Sequence, residues 1–326
     1  MISPTTVMAQ APPLSPYGTF TGALFQYARN LVAFESLPPA ATQLQESDGN
    51  LPKHKCILIG GLSDGLIPTP YTKSLESACH NLGWSLVQPV LSSSYLGFGN
   101  GDLGRDTDEI SQLLAYLSHH RSGETFALVG HSTGCQNSIH FLKHGPQELV
   151  DKTRAVALQG SVSDREGPMD EDAKTWKANV ITAKTMVQDG RPDEMMPRAA
   201  FWAPITAQRF LDLHEIGGRD DYFSSDFTDD QLADRLGHVG KLSNLRLLVA
   251  FSGADEYVAK HADTKEFTQR LVRAMNRHCT SEEERVAEAL YMPTGNHNLS
   301  QTDRDASIFV AKVAAMLQST MLTDGE

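Results

Sequence analysis

The chain has 326 residues, of which 40% are hydrophobic and 21% are charged. This composition is typical of a folded globular protein, and the length allows one large hydrophobic core or two smaller ones. The 28 Lys and Arg residues against 40 Asp and Glu residues give a formal net charge of -12, which repels nucleic-acid phosphates and anionic lipids. These features exclude disordered and fibrous proteins, argue against nucleic-acid and membrane partners, and favour a neutral or cationic small molecule as the ligand.

The cysteines and the first residues of the chain predict a cytoplasmic location. The four cysteines lie far apart, without a C-x-x-C pair, so we expect buried thiols and neither a zinc site nor a disulfide framework. The stretch from Met1 to Ser15 contains three prolines and lacks the basic and apolar segments of a secretory signal. No apolar run is long enough to span a membrane, and no clustered Cys and His pattern typical of a metal site occurs. We therefore expect no metal and no other cofactor.

The predicted elements follow each other as strands and helices in alternation. After a tail over residues 1–18, apolar runs at 19–27 and 30–35 predict a hairpin, and the polar stretch 40–51 predicts a loop. Further strands are predicted at residues 55–61, 84–89, 125–129, 154–159, 245–251 and 287–292. Helices are predicted at residues 70–82, 104–119, 133–143, 261–276 and 303–317. Strands separated by helices of this length indicate an α/β fold with a mostly parallel sheet.

The alternation breaks between residues 164 and 241. This segment contains two helix-like stretches, no clear strand, and two pairs of consecutive aspartates at 220–221 and 229–230. We expect it to form a helical cap inserted over one end of the sheet, with residues 19–163 and 242–326 forming the core. We interpret the acidic pairs as a solvated surface around the entrance to a site.

The pattern Gly-x-Ser-x-Gly occurs twice, at residues 61–65 and 130–134, each time after an apolar run. In α/β-hydrolases it marks a sharp strand-to-helix turn that exposes a nucleophilic serine. After Ser132 the chain continues without proline and with apolar residues at helical spacing, so a helix can begin at once. After Ser63, two prolines prevent a helix until about Tyr71. We therefore predict Ser132 as the nucleophile and a loop position for Ser63.

The oxyanion hole of such an enzyme needs two main-chain N–H donors, one after the nucleophile and one from a loop after an earlier strand. Thr133 follows the predicted nucleophile, and its amide is the first predicted donor. Residues Gly60, Gly61 and Leu62 follow the strand at 55–61, and we predict the Leu62 amide as the second donor, with Ser63 as the alternative. An ordinary glycine turn would also explain this loop.

A serine nucleophile needs an imidazole base, and the base needs a carboxylate that orients it. In this fold the acid precedes the histidine in the chain. His297 comes just after the last predicted strand and is the only histidine beyond residue 278, so we predict it as the base. Asp255 follows the strand before the last and is the predicted acid, with Asp164 and Glu256 as alternatives. All three predicted triad members follow the carboxyl ends of strands, where parallel sheets place their ligand crevice.

Four segments, in chain order, carry a resemblance to a known family: Gly60-Gly-Leu-Ser-Asp-Gly65, Ser92-Ser-Ser-Tyr-Leu-Gly-Phe-Gly99, Gly130-His-Ser-Thr-Gly134 and Gly295-Asn-His-Asn298. They resemble a family of fungal and plant α/β-hydrolases whose best understood members are intracellular siderophore esterases. The resemblance extends over nearly the whole chain from about residue 20. It implies an acyl-serine mechanism on Ser132, Asp255 and His297, and a fusarinine-type substrate built from esters of N5-acyl-N5-hydroxyornithine, whose cleavage releases iron.

Several residues are candidates for lining a substrate pocket. Ser63, Tyr95 and Phe98 follow strands at the same edge of the sheet, although a packed loop would also explain the last two. Aromatic residues of the predicted cap either line the pocket or pack the cap onto the sheet: Trp176, Phe201, Trp202, Phe210, Tyr222 and Phe223. Two other functions remain open, namely a general carboxylesterase or thioesterase and a non-catalytic binding protein of the same fold. The second usually lacks a triad member, and none is missing here.

Overall fold

The computed structural model describes residues 17–38 and 51–323, and within them eight strands form one sheet. The strands are β1 (Gly22–Ala28), β2 (Leu31–Ser36), β3 (His54–Ile59), β4 (Trp84–Val90), β5 (Thr125–His131), β6 (Thr153–Gln159), β7 (Arg246–Ser252) and β8 (Ala287–Met292). Their spatial order is β1-β2-β4-β3-β5-β6-β7-β8. The pairs β1–β2 and β2–β4 are antiparallel, and the other neighbours are parallel. The predicted hairpin and mostly parallel sheet are confirmed.

Helices cover both faces of this sheet. Outside the segment that joins β6 to β7 they are α1 (Thr72–Asn81), α2 (Leu103–His120), α3 (Thr133–His144), α4 (Gln147–Lys152), α9 (Thr264–Met275) and α10 (Asp303–Thr323). Helices α2, α3 and α9 pack on one face, and α1 and α10 pack on the other. Residues 1–16 of the predicted tail and 40–50 of the predicted loop lie outside the described residues, as does residue 39.

The sequence of the central strand β5 fits its position between two layers of helices. All seven of its residues are buried, because both faces of the strand are covered by helices. Phe126 and Leu128 point into the hydrophobic core beneath α2 and α3, whereas Ala127 and Val129 belong to the core beneath α1 and α10. A continuous apolar run is therefore the pattern that this position requires.

The segment between β6 and β7 contains four α-helices where the sequence pattern indicated two. They are α5 (Glu166–Glu171), α6 (Ala173–Gln188), α7 (Ala207–His214) and α8 (Asp229–Leu236), followed by a 3₁₀ helix at Gly237–Lys241. Three of them have eight residues or fewer, which is too short for helical spacing to stand out in a sequence. Helices α6 and α7 share a small hydrophobic core of their own.

The acidic pairs of this segment differ from each other in burial. Asp229 and Asp230 are exposed, as expected, with exposed side-chain fractions of 69% and 84%. Asp220 and Asp221 are buried, and the interpretation of this pair as solvated surface is wrong. A buried arginine lies beside each of them: Nη1 of Arg209 is 2.7 Å from Asp220, and Nε of Arg165 is 2.8 Å from Asp221.

Two further sequence expectations concern the cysteines and the membrane. All four cysteines are free thiols; three are buried, and Cys279 is only half-buried because it lies in the loop after α9. Among the helices of the described residues, none combines the length and the apolar character needed to cross a bilayer.

Candidate active site

Ser132 lies in a sharp turn between β5, which ends at His131, and α3, which begins at Thr133. Its backbone has a φ of 53° and a ψ of -124°, a conformation that side chains rarely adopt. The flanking glycines allow the turn: a Cβ on Gly130 would lie 2.4 Å from the carbonyl oxygen of Gly134. A Cβ on Gly134 would lie 2.2 Å from the carbonyl oxygen of Ile59. Strand, turn and helix therefore have the form of a nucleophile elbow.

The second copy of the pattern forms a different structure. Ser63 also has a positive φ, of 66°, but the next helix, α1, begins only at Thr72. Ser63 therefore lies in a loop, and its amide and hydroxyl are not at the start of a helix.

His297 and Asp255 contact each other across two loops that follow β7 and β8. Nδ1 of His297 is 2.8 Å from Oδ2 of Asp255, whose other oxygen accepts a hydrogen bond from the Tyr257 amide at 3.0 Å. The Asp255 side chain is fully buried, and the His297 side chain is 11% exposed. Because the carboxylate occupies Nδ1, the nitrogen left for a reacting group is Nε2. His297 and Ser132 line the same cavity.

The two alternative acids occupy other places. The Glu256 side chain turns toward the main chain, where Oε2 accepts a hydrogen bond from the His297 amide at 2.9 Å. Asp164 lies in the cavity wall and accepts a hydrogen bond from the Gln136 side chain at 3.1 Å. Burial and the nearby carboxylates of Asp220 and Asp221 raise the pKa of Asp164 to about 7. Of the three candidates, Asp255 is the one that contacts the imidazole ring.

Gln159, the last residue of β6, connects the nucleophile turn with the histidine loop. Its carbonyl oxygen accepts a hydrogen bond from the Ser132 amide at 2.9 Å. Its side-chain Nε2 donates to the carbonyl oxygen of His297 at 2.7 Å, and its Oε1 lies 2.8 Å from Nδ1 of His131. Since burial lowers the pKa of His131 to about 3, its ring is neutral and carries its proton on Nδ1, the donor to Gln159. Gln159 is not among the site residues predicted from the sequence; its one signal there is a polar residue at the end of a buried strand.

The loop after β3 approaches Ser132 closely. A Cβ on Gly61 would lie 2.6 Å from Cβ and 3.1 Å from Oγ of Ser132, so only glycine fits. Asp64 closes the loop: its carboxylate accepts the Gly61 amide at 2.8 Å, and its own amide donates to the Gly61 carbonyl at 3.1 Å. Neither of these two bonds involves the Leu62 amide. Thr133 is the first residue of α3, where main-chain N–H groups have no acceptor within the helix.

The cavity above Ser132 has a volume of about 580 Å³. Ser63, Leu62 and Trp202 line it, together with the Ser132 and His297 side chains. Its lining includes four carboxylates, and among its described lining residues there is no Lys or Arg: the acids are Asp64, Asp164, Glu171 and Glu256. Burial raises the pKa of Asp64 as well as that of Asp164. The cavity is therefore suited to neutral or cationic groups.

Tyr95 and Phe98 do not line this cavity. The Tyr95 ring packs against the backbone of Gly65 and is 54% exposed. Phe98 is buried behind Trp202, with their ring centroids 5.3 Å apart. Of the six predicted aromatic candidates in the segment between β6 and β7, Phe201 and Trp202 line the cavity and Trp176 is half-buried against the core of α6 and α7. The other three are buried: Phe210, Tyr222 and Phe223.

Comparisons with known proteins agree with this architecture. A family model described as "Protein of unknown function (DUF1749)" matches residues 8–318. The chain is 30% identical to fusarinine C esterase sidJ of Aspergillus fumigatus over 89% of this chain and 92% of that protein. It is 31% identical to esterase AN6793 of Emericella nidulans over 79% of this chain and 81% of the relative.

Among solved structures, the siderophore hydrolase EstB from Aspergillus fumigatus superimposes with a TM-score of 0.73 at 27% identity. The superposition covers 93% of this chain and 98% of EstB. The match to the family model extends over nearly the whole chain, and the superposition on EstB shows a shared fold. The chain belongs to the DUF1749 family, related to fungal siderophore esterases, and is an ester-hydrolysing enzyme of the α/β-hydrolase fold.

Proposed function

We propose that this protein is a serine esterase that opens fusarinine-type hydroxamate siderophores through an acyl-serine intermediate. The observation that carries the proposal is the strained turn of Ser132, with its φ of 53°, facing the same cavity as the His297–Asp255 pair. A strained serine turn, an imidazole and a buried carboxylate make up the machinery of acyl transfer.

In the first half of the reaction, Oγ of Ser132 attacks the ester carbonyl carbon while Nε2 of His297 takes the hydroxyl proton. The amides of Leu62 and Thr133 donate hydrogen bonds to the oxyanion, and Asp255 stabilises the imidazolium. Collapse of the tetrahedral intermediate breaks the ester C–O bond, and the leaving alkoxide takes the proton from His297.

In the second half, water attacks the acyl-serine and gives its proton to His297. Breakdown of this intermediate returns the proton to Oγ of Ser132 and releases the carboxylic acid. The net reaction consumes one ester bond and one water and forms one alcohol and one acid. In a cyclic siderophore this step opens the ring that holds the hydroxamates together, which favours release of iron.

The charge and size of the cavity support this substrate class. A volume of about 580 Å³ accommodates a substrate larger than a short-chain ester. When N5 of hydroxyornithine is acylated and its carboxyl group is esterified, the α-amino group remains and carries a positive charge. Four carboxylates line the cavity and complement such a group. The sequence relationship to fusarinine C esterase sidJ supports the same choice.

We also propose that residues 164–241 act as a cap over the core formed by 19–163 and 242–326. Asp164, Trp202 and His214 from this segment line the cavity opposite Ser132. The segment would thereby set which acyl and alcohol groups enter the site. The free thiols of the four cysteines fit a reducing compartment, and we propose that the enzyme acts in the cytoplasm.

Labelling with a fluorophosphonate probe tests the nucleophile. The wild-type enzyme is expected to label, whereas Ser132→Ala is expected to lose the label. Ser63→Ala is the matched comparison because Ser63 occupies the same sequence pattern, and it should still label. If Ser132→Ala labels as strongly as the wild type, the assignment of the nucleophile is wrong.

Hydrolysis assays test the substrate. Purified enzyme is incubated with fusarinine C, its triacetylated form and short-chain nitrophenyl esters, and the products are followed by mass spectrometry. We expect cleavage of siderophore esters with a higher kcat/KM than that of the simple esters. Equal or better turnover of the simple esters without siderophore cleavage would instead indicate a general carboxylesterase.

A further inference from the structure

His297 is held by its main chain as well as by its ring. Its amide donates to Oε2 of Glu256 at 2.9 Å, and its carbonyl oxygen accepts from Nε2 of Gln159 at 2.7 Å. The two partners come from different elements, since Gln159 ends β6 and Glu256 lies in the loop after β7. Side chains from two different elements therefore bind the amide and the carbonyl oxygen of His297.

Each of these partners is also tied to another part of the catalytic machinery. Glu256 follows Asp255, so one short segment binds the imidazole ring through Asp255 and the main chain through Glu256. Gln159 accepts the Ser132 amide with its own carbonyl. The distance between nucleophile and base therefore depends on one residue whose main chain supports Ser132 and whose side chain supports His297.

Other hydrogen bonds also hold the loop around His297, such as the Ala254 amide to the Gly295 carbonyl at 3.0 Å. Among the described residues, however, only the two bonds above reach the main chain of His297 itself. The loop that carries His297 follows β8 at the edge of the sheet, where no further strand lies beside it among the described residues. Two rings contact the imidazole of His297: the buried His131, with ring centroids 5.0 Å apart, and Tyr257, which packs edge-on at 4.6 Å and is 58% exposed. A misplacement of about 1 Å in a reacting group costs up to about 100-fold in rate.

We propose that Glu256 and Gln159 are positioning residues that hold the peptide of His297 and so set the placement of its imidazole relative to Ser132. This inference rests on the proposed function. In it, Glu256 acts by accepting a hydrogen bond, which a neutral side chain can also accept. Its negative charge is not required. Glu256→Gln retains an acceptor oxygen and should keep the hydrogen bond, whereas Glu256→Ala removes it.

The test compares Glu256→Ala and Glu256→Gln with wild type and with Glu266→Ala, which removes an exposed carboxylate of α9 that pairs with Arg273. The readouts are kcat and KM on a nitrophenyl ester, the rate constant of fluorophosphonate labelling, and Tm. We expect Glu256→Ala to lower kcat and the labelling rate about tenfold with KM and Tm nearly unchanged. Glu256→Gln should stay within about threefold of wild type, and Glu266→Ala should match wild type.

A second variant, Gln159→Met, keeps the length of the buried side chain but removes the donor to His297. It also removes the acceptor of His131 and Tyr71. It should lower kcat at least as much as Glu256→Ala. The inference is overturned if Glu256→Ala retains wild-type kcat, or if Glu256→Gln is as impaired as Glu256→Ala, which would point to the charge. The comparisons of the Glu256 and Gln159 variants use neither siderophore nor iron. If the wild-type enzyme reacts with the fluorophosphonate probe and cleaves simple esters but no siderophore, that result contradicts the proposed substrate and leaves the positioning role standing.

Discussion

Oδ2 of Asp255 lies 2.8 Å from Nδ1 of His297, although the two residues are 42 positions apart in the chain. The neighbouring Glu256 reaches only the main chain of the same histidine. In the proposed mechanism, the ring contact would fix the tautomer in which Nε2 accepts a proton, and it would stabilise the imidazolium that forms during acyl transfer.

Asp255→Asn should therefore lower kcat by about 10³-fold to 10⁴-fold, because the amide cannot orient or stabilise the imidazole in the same way. Steady-state kinetics on a nitrophenyl ester measure this effect. Asp164→Asn serves as the control for a second acid in the same cavity and should lose far less. A near-normal rate for Asp255→Asn would transfer the role of the acid to Asp164 or Glu256.

Gly61→Ala tests the close approach of the loop to the nucleophile. The new Cβ would lie 2.6 Å from Cβ of Ser132, so the loop must move and carry the Leu62 amide with it. Loss of one oxyanion donor costs about 100-fold to 1,000-fold in kcat, and we expect a loss of that size. Gly237→Ala is the control, because its nearest new neighbour is 3.6 Å away. Wild-type kcat in Gly61→Ala would exclude this loop from the oxyanion hole.

The acidic lining of the cavity predicts selectivity for positively charged esters. At pH 8, where Asp164 with its pKa of about 7 is ionised, acetylation of the substrate amino groups should lower kcat/KM about tenfold, since it removes the attraction to the acidic lining. The difference should shrink at high salt because mobile ions screen the attraction. Asp164→Asn should also reduce the difference in kcat/KM between free and acetylated substrates. Equal kcat/KM for free and acetylated substrates at low salt would show that this charge does not select the substrate.

The raised pKa of Asp164, about 7, predicts how its replacement affects stability. Between about pH 4 and 7 the folded protein holds a proton on this carboxyl that the unfolded chain releases, so its stabilising effect is lost as the pH rises through about 7. Asp164→Asn removes the cost of the buried charge and should raise Tm at pH 8 more than at pH 5. A difference in Tm that does not change with pH would contradict this.

Arg209 joins the segment between β6 and β7 to the core. It is 5% exposed, and it donates to Asp220 at 2.7 Å and to the carbonyl oxygen of Phe98 at 3.1 Å. Arg209→Met should lower the free energy of unfolding by about 3–5 kcal/mol, because it leaves a buried carboxylate without its cation. Urea unfolding measures this loss, and adding Asp220→Asn should recover part of it.

The exposed Arg219 is the control for that variant. Its guanidinium lies 3.5 Å from Asp212 and its side chain is 64% exposed, so Arg219→Met should cost less than about 1 kcal/mol. Equal losses in the free energy of unfolding for the two arginine variants would show that burial of the Arg209–Asp220 pair does not increase its contribution to stability.

Several features could be predicted from the sequence because they depend on neighbours along the chain. The alternation of apolar runs and amphipathic stretches predicts the sheet and its helices, and strand β8 lies at the residues predicted for it. The glycines around Ser132 and the absence of proline after it predict a turn followed at once by a helix. The prolines after Ser63 predict the late start of α1 at Thr72.

Other features depend on contacts between residues far apart in the chain, and only the tertiary structure decided them. Asp255 and Glu256 are adjacent, and the path of the loop after β7 determines which carboxylate faces the ring of His297. Asp220 and Asp221 resemble a surface cluster in the sequence, yet Arg209 and Arg165 from other elements allow their burial. A sequence gives the charge of a residue. The effect of that charge on stability depends on the local dielectric and on the partners that folding brings near it.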